Sequence, residues 1–226
     1  MNDILFKKSF FENKILLMYR MYIAVLIYGR LNKCVEHYNN IIESLGKHND
    51  IDFFLSSDNS TESVLNDFIS LYKPKMYNNL PINYVCNLTK YPGRRSETNI
   101  HNMTCHFINK NRVYVLFEEY INKHNIQYDC VVSLRIDCLF ENNFAFNKLE
   151  DNTIYIPFGN DYVDKGLNDQ IAYGKVDVMK KYNSINAVEL LEKRLSIPHP
   201  ESLNYANIHF YKLNIERPHI QYYLDK

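Results

Sequence analysis

Four short stretches of the chain gather side chains that can bind phosphate, hold a hard cation or move a proton. Arg135-Ile136-Asp137 closes the apolar run 129–134, DCVVSL. A carboxylate just past a buried strand suits a divalent ion that keeps several waters and takes substrate phosphate oxygens as further ligands. The arginine two residues earlier can bind a diphosphate itself, or simply pair with that carboxylate. A second stretch, GLNDQIAYG, places Asn168, Asp169 and Gln170 after a polar loop, at the start of an expected helix running from Ile171 to Tyr182. Asp169 there is either a helix cap, an acceptor for sugar hydroxyls or a general base.

The third stretch is Gly29-Arg30, which ends the apolar run 22–28, YIAVLIY. Glycine permits a sharp turn or a close ligand approach, and arginine can meet a phosphate or a base edge. In parallel α/β sheets ligands lie beyond the carboxyl ends of strands, which is where this pair falls. The fourth is the basic loop around Arg94-Arg95, either a solvated charge pair or a segment that closes over a diphosphate. His199, held between two prolines, and His209 are surface histidines or late ligands of a metal or pyrophosphate. No GxGxxG, no GxxxxGK[ST] and no GxSxG occurs, so dinucleotide, P-loop and serine-hydrolase chemistries find no support.

These residues need a scaffold, and the pattern of apolar runs supplies one. Strand-length runs at 22–28 and 52–56 alternate with helical spacing over 35–45 and 64–72, the signature of βαβ units. A third strand is expected at 83–87, and a long amphipathic helix from Ile100 to Lys123. The run 129–134 is a buried strand and 153–156 another. Further helices are expected over 187–195 and from Glu201 to Phe210, then a closing strand near 213–216. Residues 1–20 read as an extension, and 21–226 as one α/β domain with a mostly parallel central sheet flanked by helices.

Composition narrows the function classes. The chain has 226 residues, 26 Lys+Arg against 26 Asp+Glu, and thus no net formal charge. That removes the basic footprint of a dedicated nucleic-acid binder and leaves a small or uncharged partner. With 46% hydrophobic residues the chain folds without staples. Its five cysteines form no CxxC pair, which argues against a zinc site or a disulfide framework. No run approaches a membrane span or a secretory core, so a cytoplasmic location is expected, the host cytoplasm if the chain is viral. Nineteen tyrosines and no tryptophan reflect mutational bias toward AT-rich codons, or flat faces for a carbohydrate.

In this order, IAVLIYGRL, DFFLS, NIHNM, YDCVVSLRIDCLF, the segment from IYIPFGN through NDQIAYG to MKKY, and HPESLNYANIHF resemble the small nucleotide-diphosphate-sugar glycosyltransferases with the GT-A (Rossmann-like) fold. Viral and bacterial polysaccharide-type enzymes are among that family's members. The likeness spans about 22–216. It implies transfer of a hexosyl or deoxyhexosyl group from a nucleotide-sugar donor to a hydroxyl of a glycan or protein. It also implies that Ile27, Tyr28, Gly29 and Arg30, with Arg94 and Arg135, surround the nucleotide and diphosphate. Asp137 would hold Mn²⁺ or Mg²⁺, and Asp169 with Gln170 would carry catalysis. One departure stands out: where the family has Asp-x-Asp, this chain has Arg135-Ile136-Asp137. A sugar-phosphate nucleotidyltransferase and a non-catalytic glycan-binding or interaction module on the same fold are the competing readings. The first should show a glycine-rich loop after strand one, where this chain has only Gly29.

Overall fold

The computed structural model describes residues 20–58, 60–83, 100–146, 149–162, 166–192 and 199–225. The strands are β1 (Tyr22–Tyr28), β2 (Asp50–Ser57), β3 (Met76–Asn79), β4 (Cys130–Arg135), β5 (Cys138–Phe140), β6 (Thr153–Tyr155), β7 (Ile171–Gly174), β8 (Asn214–Glu216) and β9 (Tyr222–Leu224). The helices are α1 (Cys34–Leu45), α2 (Glu62–Tyr72), α3 (Ile100–His124), α4 (Val176–Asn183), α5 (Ala187–Glu192) and α6 (Pro200–Phe210). Seven strands form one sheet in the order β3-β2-β1-β4-β7-β6-β8, and β5 pairs with β9 in a separate ribbon. Strands β3, β2, β1 and β4 are parallel neighbours. β7 runs antiparallel to both β4 and β6, and β8 is parallel to β6. The sheet is therefore mostly parallel, with a single reversed strand in its middle.

Strand β1 lies inside the sheet between β2 and β4 and is apolar on both faces because helices cover both. Ile23, Val25 and Ile27 face the core under α1 and α2 with Phe53, Leu55, Val132 and Leu134. Ala24, Leu26 and Tyr28 face the core under α3 and α4 with Phe54, Val113, Phe117 and Val131. Truncating any large side chain here to alanine costs about 2–5 kcal/mol, from lost burial and the cavity left. Helix α3 runs back along the sheet. Its later residues Phe117 and Tyr120 pack edge-on to Phe54, and Phe117 also meets Tyr128 just before β4. Its early residues meet the opposite, carboxyl ends of the strands.

Several sequence expectations need correction. The segment from Ile171 is a strand followed by a helix, not one helix, because its first four residues are buried in the sheet between β4 and β6. Four apolar residues satisfy strand and helix templates alike. The third strand is Met76–Asn79, a half-exposed edge whose MYNN sequence carries no apolar run. Asn83 is not in a strand, and the rest of the expected strand 83–87 lies outside the described residues. So do residues 1–19 of the expected extension, the loop with Arg94 and Arg95, and the end of the helix expected to reach 195. The β5–β9 ribbon was not foreseen, since three-residue strands leave almost no periodic trace.

Candidate functional site

Parallel pairing lines up four polar residues at the carboxyl end of the sheet. Asn78 is in register with Ser56, Ser56 with Tyr28, and Tyr28 with Arg135. The row lies on the side of the sheet that α3 covers, and α3 answers it with His106, Asn109 and Lys110. These stand at i, i+3 and i+4, so one helical face carries all three, continuing into the apolar Val113 and Phe117. Ser56 Oγ donates to Asn78 Oδ1 at 2.7 Å or Asn109 Oδ1 at 3.0 Å, and Asn109 Nδ2 donates to Asp58 Oδ1 at 2.6 Å. The His106 ring meets the Tyr28 ring edge-on with centroids 5.1 Å apart.

The turn after β1 opens at the same end. Gly29 has φ +97° and its N–H donates to Ser56 O at 3.0 Å. An added Cβ would meet nothing within 4 Å, so the glycine serves the backbone angle and leaves open space above it. Arg30 beside it is exposed. Ile27 and Tyr28, by contrast, are fully buried and offer a ligand nothing but backbone. The Tyr28 hydroxyl donates to the carbonyl of Asp169 at 2.8 Å and reaches that of Gln170 at 3.3 Å. It is a positioning group that ties β1 to the entrance of β7.

Residues 168–170 cross the row at the point where the sheet reverses direction. Arg135 N–H donates to Gln170 O at 3.0 Å, continuing the β4–β7 ladder. Asn168 Oδ1 accepts from Gln170 N–H at 2.9 Å, while Asn204 Nδ2 from α6 donates to Asn168 O at 2.7 Å. The Tyr222 hydroxyl, on β9, donates to Gln170 Oε1 at 2.8 Å and accepts from Asn168 Nδ2 at 2.6 Å. Gln170 is held from both sides and is nearly inaccessible.

The Asp169 carboxylate is buried and faces α3. Its Oδ2 lies 3.1 Å from His106 Nε2, a contact whose angles fall short of a hydrogen bond. Burial pushes the Asp169 carboxyl up, while the charges of Arg135 and Lys110 pull it back. Burial holds His106 well below its usual range, and the charges of Arg135 and Lys110 add to the shift. Lys110 is fully buried, with Nζ 3.4 Å from the Tyr182 ring centroid and 3.4 Å from Asn204 Oδ1. Desolvation lowers it to about 7, opposed by the Asp169 charge. At the start of α6, Glu201 Oε2 lies 2.5 Å from His199 Nδ1, and the His199 ring stacks on Tyr162 at 3.7 Å. Burial, then the Asp169 charge, raises Glu201 to about 7.

Arg135 and Asp137 form a bidentate pair at the end of β4. Nε donates to Oδ1 at 3.0 Å and Nη2 to Oδ2 at 2.5 Å. Both carboxylate oxygens therefore serve the guanidinium. Among the described residues no group of three or more His, Cys, Asp or Glu side chains is arranged to hold a metal ion. The described residues around Asp137 do not compose a divalent-cation site. His209 lies away from the row, stacked on Tyr205 at 5.6 Å. Among the described residues no helix is long and apolar enough to cross a membrane.

Sequence reasoning thus singled out Arg135, Asp137, Asp169, Gln170, Gly29 and Arg30, which the fold gathers at one end of the sheet. It missed His106, Lys110 and Glu201. A trace existed: Asn109 and Lys110 occupy positions that helical spacing assigns to the buried face of α3, where polar side chains need a reason.

The family described as a domain of unknown function, DUF7796, matches residues 39–215. No curated protein matches the chain. Among solved structures, the galactosyltransferase LgtC in complex with donor and acceptor sugar analogues is similar, with TM-score 0.51 at 13% identity. An active-site glutamine-to-glutamate mutant of LgtC gives 0.50 at 14%. Each comparison covers 83% of this chain and 70% of the other. The likeness establishes a fold of the GT-A type.

Proposed function

We propose that this chain, which belongs to the DUF7796 family, is a glycosyltransferase that moves a sugar from a nucleotide-diphosphate donor to a hydroxyl of a glycan or protein. The observation that carries this is the meeting of Asp169, Arg135, Asp137 and His106 beyond the carboxyl ends of β1 and β4, where β7 reverses the sheet. Ligands of open α/β sheets lie outside the carboxyl ends of the strands where the strand order turns, here between β1 and β4. The LgtC structure described as in complex with donor and acceptor sugar analogues supports the same reading.

In this reading the open turn at Gly29 and Arg30 receives the nucleotide. Arg135 meets the diphosphate. The anomeric C–O bond breaks with its electron pair leaving on the diphosphate, and the acceptor oxygen forms the new bond to that carbon. Positive charge grows on the sugar ring meanwhile, and the buried Asp169 carboxylate is placed to stabilise it or to take the acceptor proton. The charges of Arg135 and Lys110 favour the ionised form of Asp169 against its burial. Gln170 and Tyr28 fix the backbone that presents it. Glu201, titrating near neutrality, is the second group able to accept the acceptor proton.

The test is a panel of UDP-, GDP-, CDP- and dTDP-sugars with the full chain, read by thermal shift and by release of nucleoside diphosphate on adding acceptor. A ligand at about 100 times its Kd adds about 2.7 kcal/mol of stability, so binding is easily seen. Binding without any release, for every acceptor offered, points to the glycan-binding module. Release of pyrophosphate from a sugar phosphate and a nucleoside triphosphate points to the nucleotidyltransferase.

A further inference from the structure

We infer that Arg135 replaces the divalent cation at the donor diphosphate, so that this protein binds its sugar nucleotide without a metal. The inference rests on the transferase reading above and deepens it. Its basis is the mismatch at the end of β4 between what a cation site requires and what the residues provide.

A hard cation at this position needs oxygen ligands free of competing donors. Asp137 has both oxygens taken by one guanidinium, through Nε and Nη2. The residue two positions earlier, where a second carboxylate would complete the pair, is that same arginine. An added cation would share a carboxylate with a permanent positive charge and repel it. Among the described residues no three His, Cys, Asp or Glu side chains are arranged to make up such a set.

The arginine has what the site would otherwise lack. A guanidinium carries five N–H donors, of which two serve Asp137, leaving three for phosphate oxygens in a planar fork that suits them. Its side chain is 29% exposed, against 17% for Asp137, so the open part of the pair is the donor and not the carboxylate. It stands in register with Tyr28, one residue before Gly29, which brings it beside the open turn. Asp137 and Asp169 hold the guanidinium charged despite its burial. Asp137 then acts as a positioning residue, fixing the fork so that little rotamer freedom is lost on binding.

The experiment measures donor Kd by thermal shift with the full chain, for the four classes of nucleotide sugar, in excess EDTA and in Mn²⁺. The expected result is one donor whose Kd agrees within about threefold between the two conditions, as coupling through a bound cation would exceed this. Affinity that appears only with Mn²⁺ and vanishes in EDTA overturns the inference while leaving the transferase reading intact. No shift with any donor in either condition removes both. In EDTA, Arg135→Lys should weaken the donor by about tenfold or more, the size of a lost bidentate charge-assisted contact. Should Arg135→Lys fail to fold, Asp137→Asn decides: it should keep measurable metal-independent binding, whereas abolition of an Mn²⁺-enhanced affinity by this variant assigns Asp137 to the metal and overturns the inference.

Discussion

The Tyr28 hydroxyl donates a 2.8 Å hydrogen bond to the backbone carbonyl of Asp169, joining two points 141 residues apart in the chain. One is the last residue of β1 and the other lies just before β7. The bond is fully buried, so its loss leaves a carbonyl without its donor. Tyr28→Phe keeps the ring against His106 and removes only the hydroxyl. Stability should fall by about 1–3 kcal/mol, or roughly 2–12 °C in Tm for a chain of this size. Turnover should fall more than donor affinity, because the Asp169 backbone is released while the nucleotide turn is untouched; equal losses in kcat and KM would contradict this role.

Asp169→Asn tests the chemistry directly. The amide has nearly the same shape, and it removes a buried charge whose proton affinity is already raised by burial. The fold should persist, with Tm within a few degrees or higher. Release of nucleoside diphosphate in the presence of acceptor should drop by about 100-fold or more, the usual scale for a group that stabilises charge or moves a proton.

Lys110 gives a stability profile with a defined sign. Its folded-state value is lowered to about 7 from an ordinary 10.5. Between those limits the unfolded chain holds a proton that the folded one has released, so stability rises with pH across the window. Below pH 7 both states are protonated and the burial cost is felt in full. Lys110→Met, close in volume and apolar, should therefore stabilise the protein most near pH 6, with the advantage shrinking toward pH 10. Urea unfolding at those two values measures it.

Glu201 shows the same logic for an acid. Its carboxyl is raised to about 7 from 4.5, so between these values the folded state holds the extra proton and stability falls as pH rises. Glu201→Gln removes the titration. Relative to the parent, the variant should gain Tm between pH 4.5 and pH 7.5 by a few degrees, about 1 kcal/mol or more. If Glu201 also receives the acceptor proton, the acidic limb of the rate profile, near pH 7 in the parent, disappears with it.

Much of this molecule is legible in its sequence. The apolar run of β1 has the bounds of the strand itself, 22–28, because a segment buried on both faces must be continuously apolar. The alternation of such runs with helical spacing is enough for the α/β class. Arg135, Asp137, Asp169 and Gly29 stand out because charged residues and glycine directly after or beside buried strands sit where ligands approach.

What the sequence does not contain is the direction and register of the pairing. Nothing in IAYG states that β7 enters the sheet reversed between β4 and β6, for four apolar residues fit a helix as well as a strand. That choice is made by long-range hydrogen bonds to β4 and by burial against α4. The row from Asn78 to Arg135 likewise exists only once three strand pairs are in register, and only then does α3 turn His106 and Lys110 toward Asp169. Local composition chose the residues able to do chemistry, and tertiary packing decided which of them meet and which, like Asp137, are already spoken for.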